Sequence, residues 1–222
     1  MNIGIIGNGR FGNLVFNALS LHTKCLIKVF EPEHKIDNQK FFSLEEVCNS
    51  DIVIPCVPIS SFEEVIKQIS SILKPTTLLI EICSVKTYPV NIMLKNLNTN
   101  IEILATHPMF GPDSTDSGNN FRDLNFIYSK VRITNQQRLE QILTFLKSLG
   151  LNLVEMTPEE HDKQAAYTQA FAFLIGKIGI KLNVRANQIT TKGFKEYCII
   201  NLALKTILVG FLEICRYIIL IL

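Results

Sequence analysis

The sequence predicts a doubly wound α/β fold, a parallel sheet with helices on both faces, followed by a small all-helical domain. Three observations predict it. Short apolar runs alternate with amphipathic stretches from Met1 to about residue 156. A glycine-rich turn, Gly7-Asn8-Gly9-Arg10-Phe11-Gly12, joins the first apolar run to the first amphipathic one. From Thr157 the alternation stops and the pattern reads helical to the end. Alternation of this kind builds parallel sheets with right-handed crossovers, so the boundary falls between an α/β domain over 1–156 and a helical domain over 157–222.

The first apolar run, Met1 to Ile6, is short enough for a buried parallel strand. After the glycines, Leu14, Val15, Ala18, Leu19 and Leu21 give a helix one apolar face, and Cys25 to Phe30 reads as a second strand. Glu31 ends that strand, 19 positions after Gly12. Each part has a physical task. Gly7 permits the tight turn, Gly9 lets backbone approach a pyrophosphate, and Gly12 lets helix and strand pack closely. Arg10 and Phe11 open the helix, whose free N–H groups and dipole favour phosphate. An acid at the position of Glu31 accepts hydrogen bonds from the ribose hydroxyls and repels a 2′-phosphate, so the expected cofactor is NAD rather than NADP. Residues 1–156 are therefore read as a dinucleotide-binding (Rossmann) domain.

The remaining elements follow in order. Ser43-Leu44-Glu45-Glu46-Val47 has a Ser N-cap with acids in the first turn. Asp51 to Pro58 reads as a third strand, although Pro55 is out of place in a central one. Helices over 60–73 and 87–97 flank a fourth strand over 77–83, and a fifth covers 101–105. A loop rich in Asp, Ser, Gly and Asn leads to a sixth strand at 124–128. A helix over 136–149, stopped by Gly150, precedes a seventh strand over 151–156. Thr157-Pro158-Glu159-Glu160 then opens a long helix reaching about Leu182, with Thr as N-cap, Pro first and acids next.

In an open parallel sheet the ligand lies outside the carboxyl ends of the strands. Successive strands place there the glycines, then Glu31, Val57-Pro58, Ser84 with Lys86, and His107. A neutral imidazole at His107 could accept a proton from a substrate hydroxyl while hydride leaves for a nicotinamide, with Ser84 orienting the ring or the substrate. The plain alternatives are a turn histidine before Pro108 and a helix-capping serine. Lys86 reads as a solvated charge, with substrate contact as its functional alternative. His161 reads as a surface histidine or a member of a local salt bridge, and His22 and His34 as loop residues.

Composition narrows the class. The 222 residues are 47% hydrophobic, enough for a sizeable core, and the net charge of +2 is spread along the chain, which argues against nucleic acid as partner. The six cysteines show neither a C-x-x-C pair nor metal-ligand spacing, so no metal is expected and the setting reads as reducing. Met1 leads straight into the first strand, so no signal or transit peptide is expected. The localisation expected is cytoplasmic. Residues 197–222 are almost wholly apolar, but Lys205, Glu213 and Arg216 interrupt them. A membrane span needs about 20 apolar residues, so a helix buried against another subunit is the better reading.

The motifs together resemble the prephenate/arogenate dehydrogenase family of tyrosine biosynthesis. The matching pieces are Ile5 to Gly12, Cys83-Ser84-Val85-Lys86, Thr106-His107-Pro108-Met109-Phe110-Gly111-Pro112-Asp113-Ser114, and Glu159-Glu160-His161-Asp162 with Thr168-Gln169. The resemblance implies NAD-dependent oxidative decarboxylation of prephenate, to 4-hydroxyphenylpyruvate, or of arogenate, to tyrosine. It implies His107 as catalytic base and Ser84 as its hydrogen-bonding partner. It also implies a helical domain that forms a homodimer and closes the site. Two departures stand out. Phe173 holds the place of a family histidine, and a family arginine for the substrate carboxylate has no counterpart, which makes the helical domain read as shortened. Lys192 and Arg185 are possible substitutes, and Thr168, Gln169, Lys86 and Lys192 are the substrate-contact candidates. The competing expectations are a cofactor-binding homologue without activity, as a decayed enzyme or sensor, and another small Rossmann dehydrogenase or reductase.

Overall fold

A computed structural model describes residues 1–37, 39–115 and 120–198. Two compact units divide the chain, Met1–Pro158 and a second beginning at Glu159. The first unit holds a seven-stranded sheet of order β2-β1-β3-β4-β5-β6-β7. The strands are β1 (Asn2–Ile6), β2 (Leu26–Phe30), β3 (Ile52–Pro55), β4 (Leu78–Glu81), β5 (Glu102–Pro108), β6 (Asn125–Arg132) and β7 (Asn152–Glu155). The helices between them are α1 (Arg10–His22), α2 (Leu44–Cys48), α3 (Ile59–Ile69), α4 (Thr87–Asn96) and α5 (Gln136–Ser148).

Residue parity sorts the two faces. Ile6, Val53, Leu79, Ile103 and Ala105 point to one side, where they pack with Val47 of α2, Phe62 and Ile66 of α3 and Met93 of α4. Ile3, Ile52, Ile54, Leu78, Ile80 and Leu104 point to the other, against Leu14 of α1 and Leu139 of α5. Full burial of a side chain such as Phe62 contributes about 1.5–3 kcal/mol. Between α1 and α5 the second face keeps an apolar cavity of about 380 Å³, lined by Phe11, Leu14, Ile54, Ile80, Leu104 and Phe145 among others.

Side-chain caps mark the starts of α2 and α5. Ser43 accepts from the Glu46 N–H and the Glu46 carboxylate accepts from the Ser43 N–H, a complete capping box on α2. Asn135 caps α5 by accepting from Arg138 N–H at 2.9 Å. Pro55 is tolerated because it is the last residue of β3. Cys56 N–H donates to Ile6 of β1, so position 55 faces β4, and the β3–β4 register ends earlier, at Val53↔Leu79.

One pairing differs from the all-parallel expectation. β6 runs antiparallel to β5, with His107 opposite Ile127. A parallel return needs a crossover of a dozen or more residues, usually helical. Among the described residues of the stretch after Pro108, which is rich in Gly, Pro and Asp, Pro112–Ser114 form a 3₁₀ turn. Passage through α5 restores the parallel direction, and β6 and β7 pair in parallel.

In the second unit, α6 (Pro158–Ala165) and α7 (Phe171–Lys181) are joined by a π-helical turn at Ala166–Ala170. The long helix read from the sequence thus ends where expected but carries a π interruption. There Thr168 Oγ1 donates to the Gln164 carbonyl at 2.9 Å, a back-bond that bends helices. Residues 192–198 are helical. The apolar tail read from 197 lies, beyond residue 198, outside the described residues. Among the described residues no helix is long and apolar enough to cross a membrane. Cys25, Cys48, Cys56, Cys83 and Cys198 are free thiols, and burial pushes the Cys48 thiol up to about 12.

Candidate active site

The carboxyl ends of β1, β2, β3, β4 and β5 lie side by side, so the residues at those ends share one edge of the sheet. Gly7 turns out of β1 with φ +99°, and a Cβ on it would meet the Cys56 carbonyl oxygen at 2.6 Å. A Cβ on Gly12 would lie 2.1 Å from the Gly7 carbonyl oxygen, whereas one on Gly9 would meet nothing within 4 Å. Gly12 is therefore needed by the fold, and Gly9 leaves open space over the turn.

α1 begins at this turn with Gly9 as N-cap, no side-chain cap and no acid in its first turn. Its leading N–H groups are left for an anion. The Phe11 side chain packs into the sheet core, so what Phe11 offers a phosphate is its backbone N–H. Asn8 Oδ1 is buried with no hydrogen-bond partner among the described residues. Glu31 Oε2 accepts from Asn8 N–H at 2.7 Å, which holds the acid over the glycine turn. Val57 packs against the core beside Gly7, and Pro58 caps α3. An orphaned acceptor, an acid and open helix N–H groups fit a dinucleotide.

β4 and β5 pair in parallel with Glu81 opposite Ala105. Extension of that register sets Cys83 beside His107, with Ser84 the next residue. His107 belongs to β5, which is longer than the sequence suggested, and is 6% exposed. Ser84 is half-buried. His107 is absent from the lining of the apolar cavity, which takes Thr106 and Pro108 instead. Parity explains this: 106 and 108 point to the α1–α5 face, and 107 to the other.

Lys86 corrects the expectation of a solvated charge. Its side chain and that of Glu81 are both 0% exposed, and they form an ion pair. Lys86 Nζ also donates to the Thr106 carbonyl at 2.5 Å. Glu81 Oε2 accepts from Cys83 N–H at 2.8 Å, and Thr106 Oγ1 donates to the Glu81 carbonyl at 2.7 Å. Burial pushes the Glu81 carboxyl up, against the pull of Lys86 and the Cys83 N–H. Removal of either partner at this depth costs about 3–5 kcal/mol. Glu81 was missed from the sequence, yet a carboxylate inside Leu78-Leu79-Ile80-Glu81-Ile82 requires a nearby cation.

The remaining candidates are not among these strand-end residues. Arg10 pairs with Asp113 at 2.6 Å, both well exposed. Thr168 and Gln169 sit in the π turn of the second unit. Lys192 and Arg185 are exposed. Phe173 lies on α7, and its side chain is outside the described structure. Of the two readings of His161, the local pairing holds and the surface position does not: it is buried and paired with Asp162 at 2.8 Å. His22 ends α1 rather than lying in a loop, and His34 stacks on Phe41. Among the described residues no three metal-ligating side chains cluster.

The model of the family described as "Prephenate dehydrogenase, nucleotide-binding domain" matches residues 33–155, more than half of the chain. The chain belongs to the prephenate dehydrogenase family. Its similarity extends to arogenate dehydrogenase 2, chloroplastic, of Arabidopsis thaliana, 32% identical over 207 residues, 88% of this chain and 57% of that protein. Arogenate dehydrogenase 1 of the same plant is 31% identical, over 88% of this chain and 32% of its own length. The chain thus spans 32% and 57% of the length of these two relatives. In fold it is similar to the crystal structure of Synechocystis arogenate dehydrogenase, with a TM-score of 0.73, 16% identity and coverage of 98% of this chain and 89% of that one. It is equally similar to prephenate dehydrogenase from A. aeolicus in complex with hydroxyphenyl propionate and NAD+, with a TM-score of 0.73, 19% identity and coverage of 99% and 84%.

Proposed function

We propose that this chain is an NAD-dependent dehydrogenase that oxidatively decarboxylates prephenate or arogenate in tyrosine biosynthesis. The observation that carries the reading is the placement of His107 and Ser84 at the ends of adjacent strands β5 and β4, on the same sheet edge as the glycine turn and Glu31. Gly7, Gly9, Gly12 and the N–H groups of Arg10 and Phe11 hold the pyrophosphate, Glu31 takes the adenosine ribose, and Val57-Pro58 flank the nicotinamide half. Bound NAD+ supplies the hydride acceptor.

His107, neutral, takes the proton of the substrate hydroxyl as hydride leaves the ring carbon that bears it. Carbon dioxide leaves and the ring becomes aromatic, which drives the step. Ser84 orients His107 and the substrate hydroxyl. Thr168, Gln169 and Lys192 are the substrate-contact candidates read from the sequence. Lys86, being buried, is withdrawn from that set. The chain acts in the cytoplasm as a homodimer formed through its helical part.

The test is reduced-cofactor absorbance with purified protein, NAD or NADP, and prephenate or arogenate in turn. Turnover with one pair fixes substrate and cofactor together. Measurable NAD binding without turnover in any of the four pairs overturns the reading in favour of a cofactor-binding homologue without activity.

A further inference from the structure

We infer that the buried Lys86–Glu81 pair is a positioning device that fixes Ser84 and His107 relative to each other. The inference rests on the dehydrogenase reading for its kinetic consequence and on geometry for everything else.

The peptide groups that lead into both residues are held by this one pair. Lys86 Nζ reaches the carbonyl of Thr106, whose peptide bond runs into His107. Glu81 Oε2 holds the N–H of Cys83, the residue before Ser84. The Thr106 hydroxyl closes the loop on the Glu81 carbonyl, and Lys86 itself lies two residues after Ser84. The ends of β4 and β5 are thereby locked in register beyond the last strand pair, Glu81↔Ala105. Stability alone is a poor reason for such a pair, because packed hydrophobic residues of similar volume are often as stable or more so. The contrast lies at the other end of β5. There Glu102 pairs with Arg138 and accepts from the Thr134 and Asn135 N–H groups at the start of α5, which ties down a helix and touches neither Ser84 nor His107.

The experiment compares E81Q/K86M, which is close in shape and uncharged, with E102Q/R138M as a control, both in the full chain. Three signals are read: kcat and KM, the NAD dissociation constant, and the NMR titration of the His107 ring, assigned by its loss in His107→Asn. The other three histidines, His22, His34 and His161, serve as internal references. For E81Q/K86M, kcat falls roughly tenfold or more, as expected when a reacting group is misplaced. KM and NAD affinity stay within about threefold, and the His107 ring signal and midpoint move. For E102Q/R138M the melting temperature falls while His107 and kcat stay as in the parent.

An unmoved His107 signal with parental kcat in folded E81Q/K86M overturns the inference. So does a raised KM at unchanged kcat, which would make Lys86 a substrate contact. If the double variant does not fold, T106V, which removes only the hydroxyl bond to the Glu81 carbonyl, takes its place: a moved His107 signal with lowered kcat supports the inference, and an unmoved signal with parental kcat overturns it. If the parent turns over none of the four substrate and cofactor pairs, the dehydrogenase reading fails, while the His107 ring signal still decides whether the pair positions it.

Discussion

Asn8 and Glu31 are tied across the first βαβ unit: the Asn8 backbone N–H donates to Glu31 Oε2 at 2.7 Å. The acid expected to receive the ribose is thus already aimed over the glycine turn. Glu31→Ser loses both the aim and the charge. Hydrogen bonds to a charged group are worth about 1.5–3 kcal/mol, so NAD should bind on the order of ten- to a hundredfold more weakly, while NADP gains relative to it. Titration of the protein with each reduced cofactor by fluorescence checks this. Unchanged discrimination between the two would remove Glu31 from the ribose site.

The glycines of the turn should separate when each is replaced by alanine. Gly12→Ala forces a methyl to within 2.1 Å of the Gly7 carbonyl oxygen, so the strand and helix must part and both folding and cofactor binding suffer. A methyl at Gly9 meets no protein atom within 4 Å. Gly9→Ala should therefore keep the parental melting temperature within a few degrees and still lose NAD, since the methyl occupies the space the phosphates need. Thermal melts with and without NAD distinguish the two.

His107→Asn should lower kcat by about 10²–10⁴, the usual contribution of a general base, with NAD affinity unchanged. In the parent, the rate should fall as pH drops through the titration of the imidazole, because a protonated ring cannot accept the hydroxyl proton. The acid limb should vanish from the residual activity of His107→Asn. An acid limb that persists there belongs to another group.

Most of the sheet and the glycine turn were legible because their signals are local. Apolar runs, a capping box and three spaced glycines state their own geometry. The direction of β6 was not legible, because an apolar run reads the same whether its strand pairs parallel or antiparallel with its neighbour. The burial of Lys86 and His161 was hidden for a different reason. A lysine or histidine in a polar neighbourhood reads as solvated until its partner's depth is known, and Glu81 and Asp162 are deep only through tertiary packing. The π turn at Ala166–Ala170 has no period of its own in the sequence.

Asp51 links the start of β1 to the end of α3's connection: Oδ2 accepts from Asn2 N–H at 2.9 Å, and Oδ1 pairs with Lys74 at 2.7 Å. Lys74 first, and then the Asn2 N–H, hold its carboxyl below the usual value. A carboxyl lowered in the folded state contributes stability that is fully present above its unfolded value, near pH 4, and lost as pH falls through the lower folded value. Asp51→Asn should therefore reduce stability at neutral pH and flatten the loss of stability below about pH 4. Urea melts across that range test it, and parallel curves for parent and variant would refute the link.

The second unit exposes a stripe that asks for a partner. Tyr167, Phe171, Leu174, Ile178 and Leu182 fall at helical spacing along one face and are each between 47% and 70% exposed. A helix that faces water on one side normally carries polar residues there, and contiguous apolar surface of this kind marks an interaction site. A homodimer, as proposed above, would cover the stripe. Paired Leu174→Asp and Ile178→Asp substitutions place charges in that seam and should shift the chain from dimer to monomer in light scattering, while NAD binding by the first unit persists, since the glycine turn and Glu31 lie wholly within Met1–Pro158. A parent that is already monomeric at micromolar concentration, or a doubly substituted chain that stays dimeric, would place the subunit contact elsewhere or nowhere on this helix.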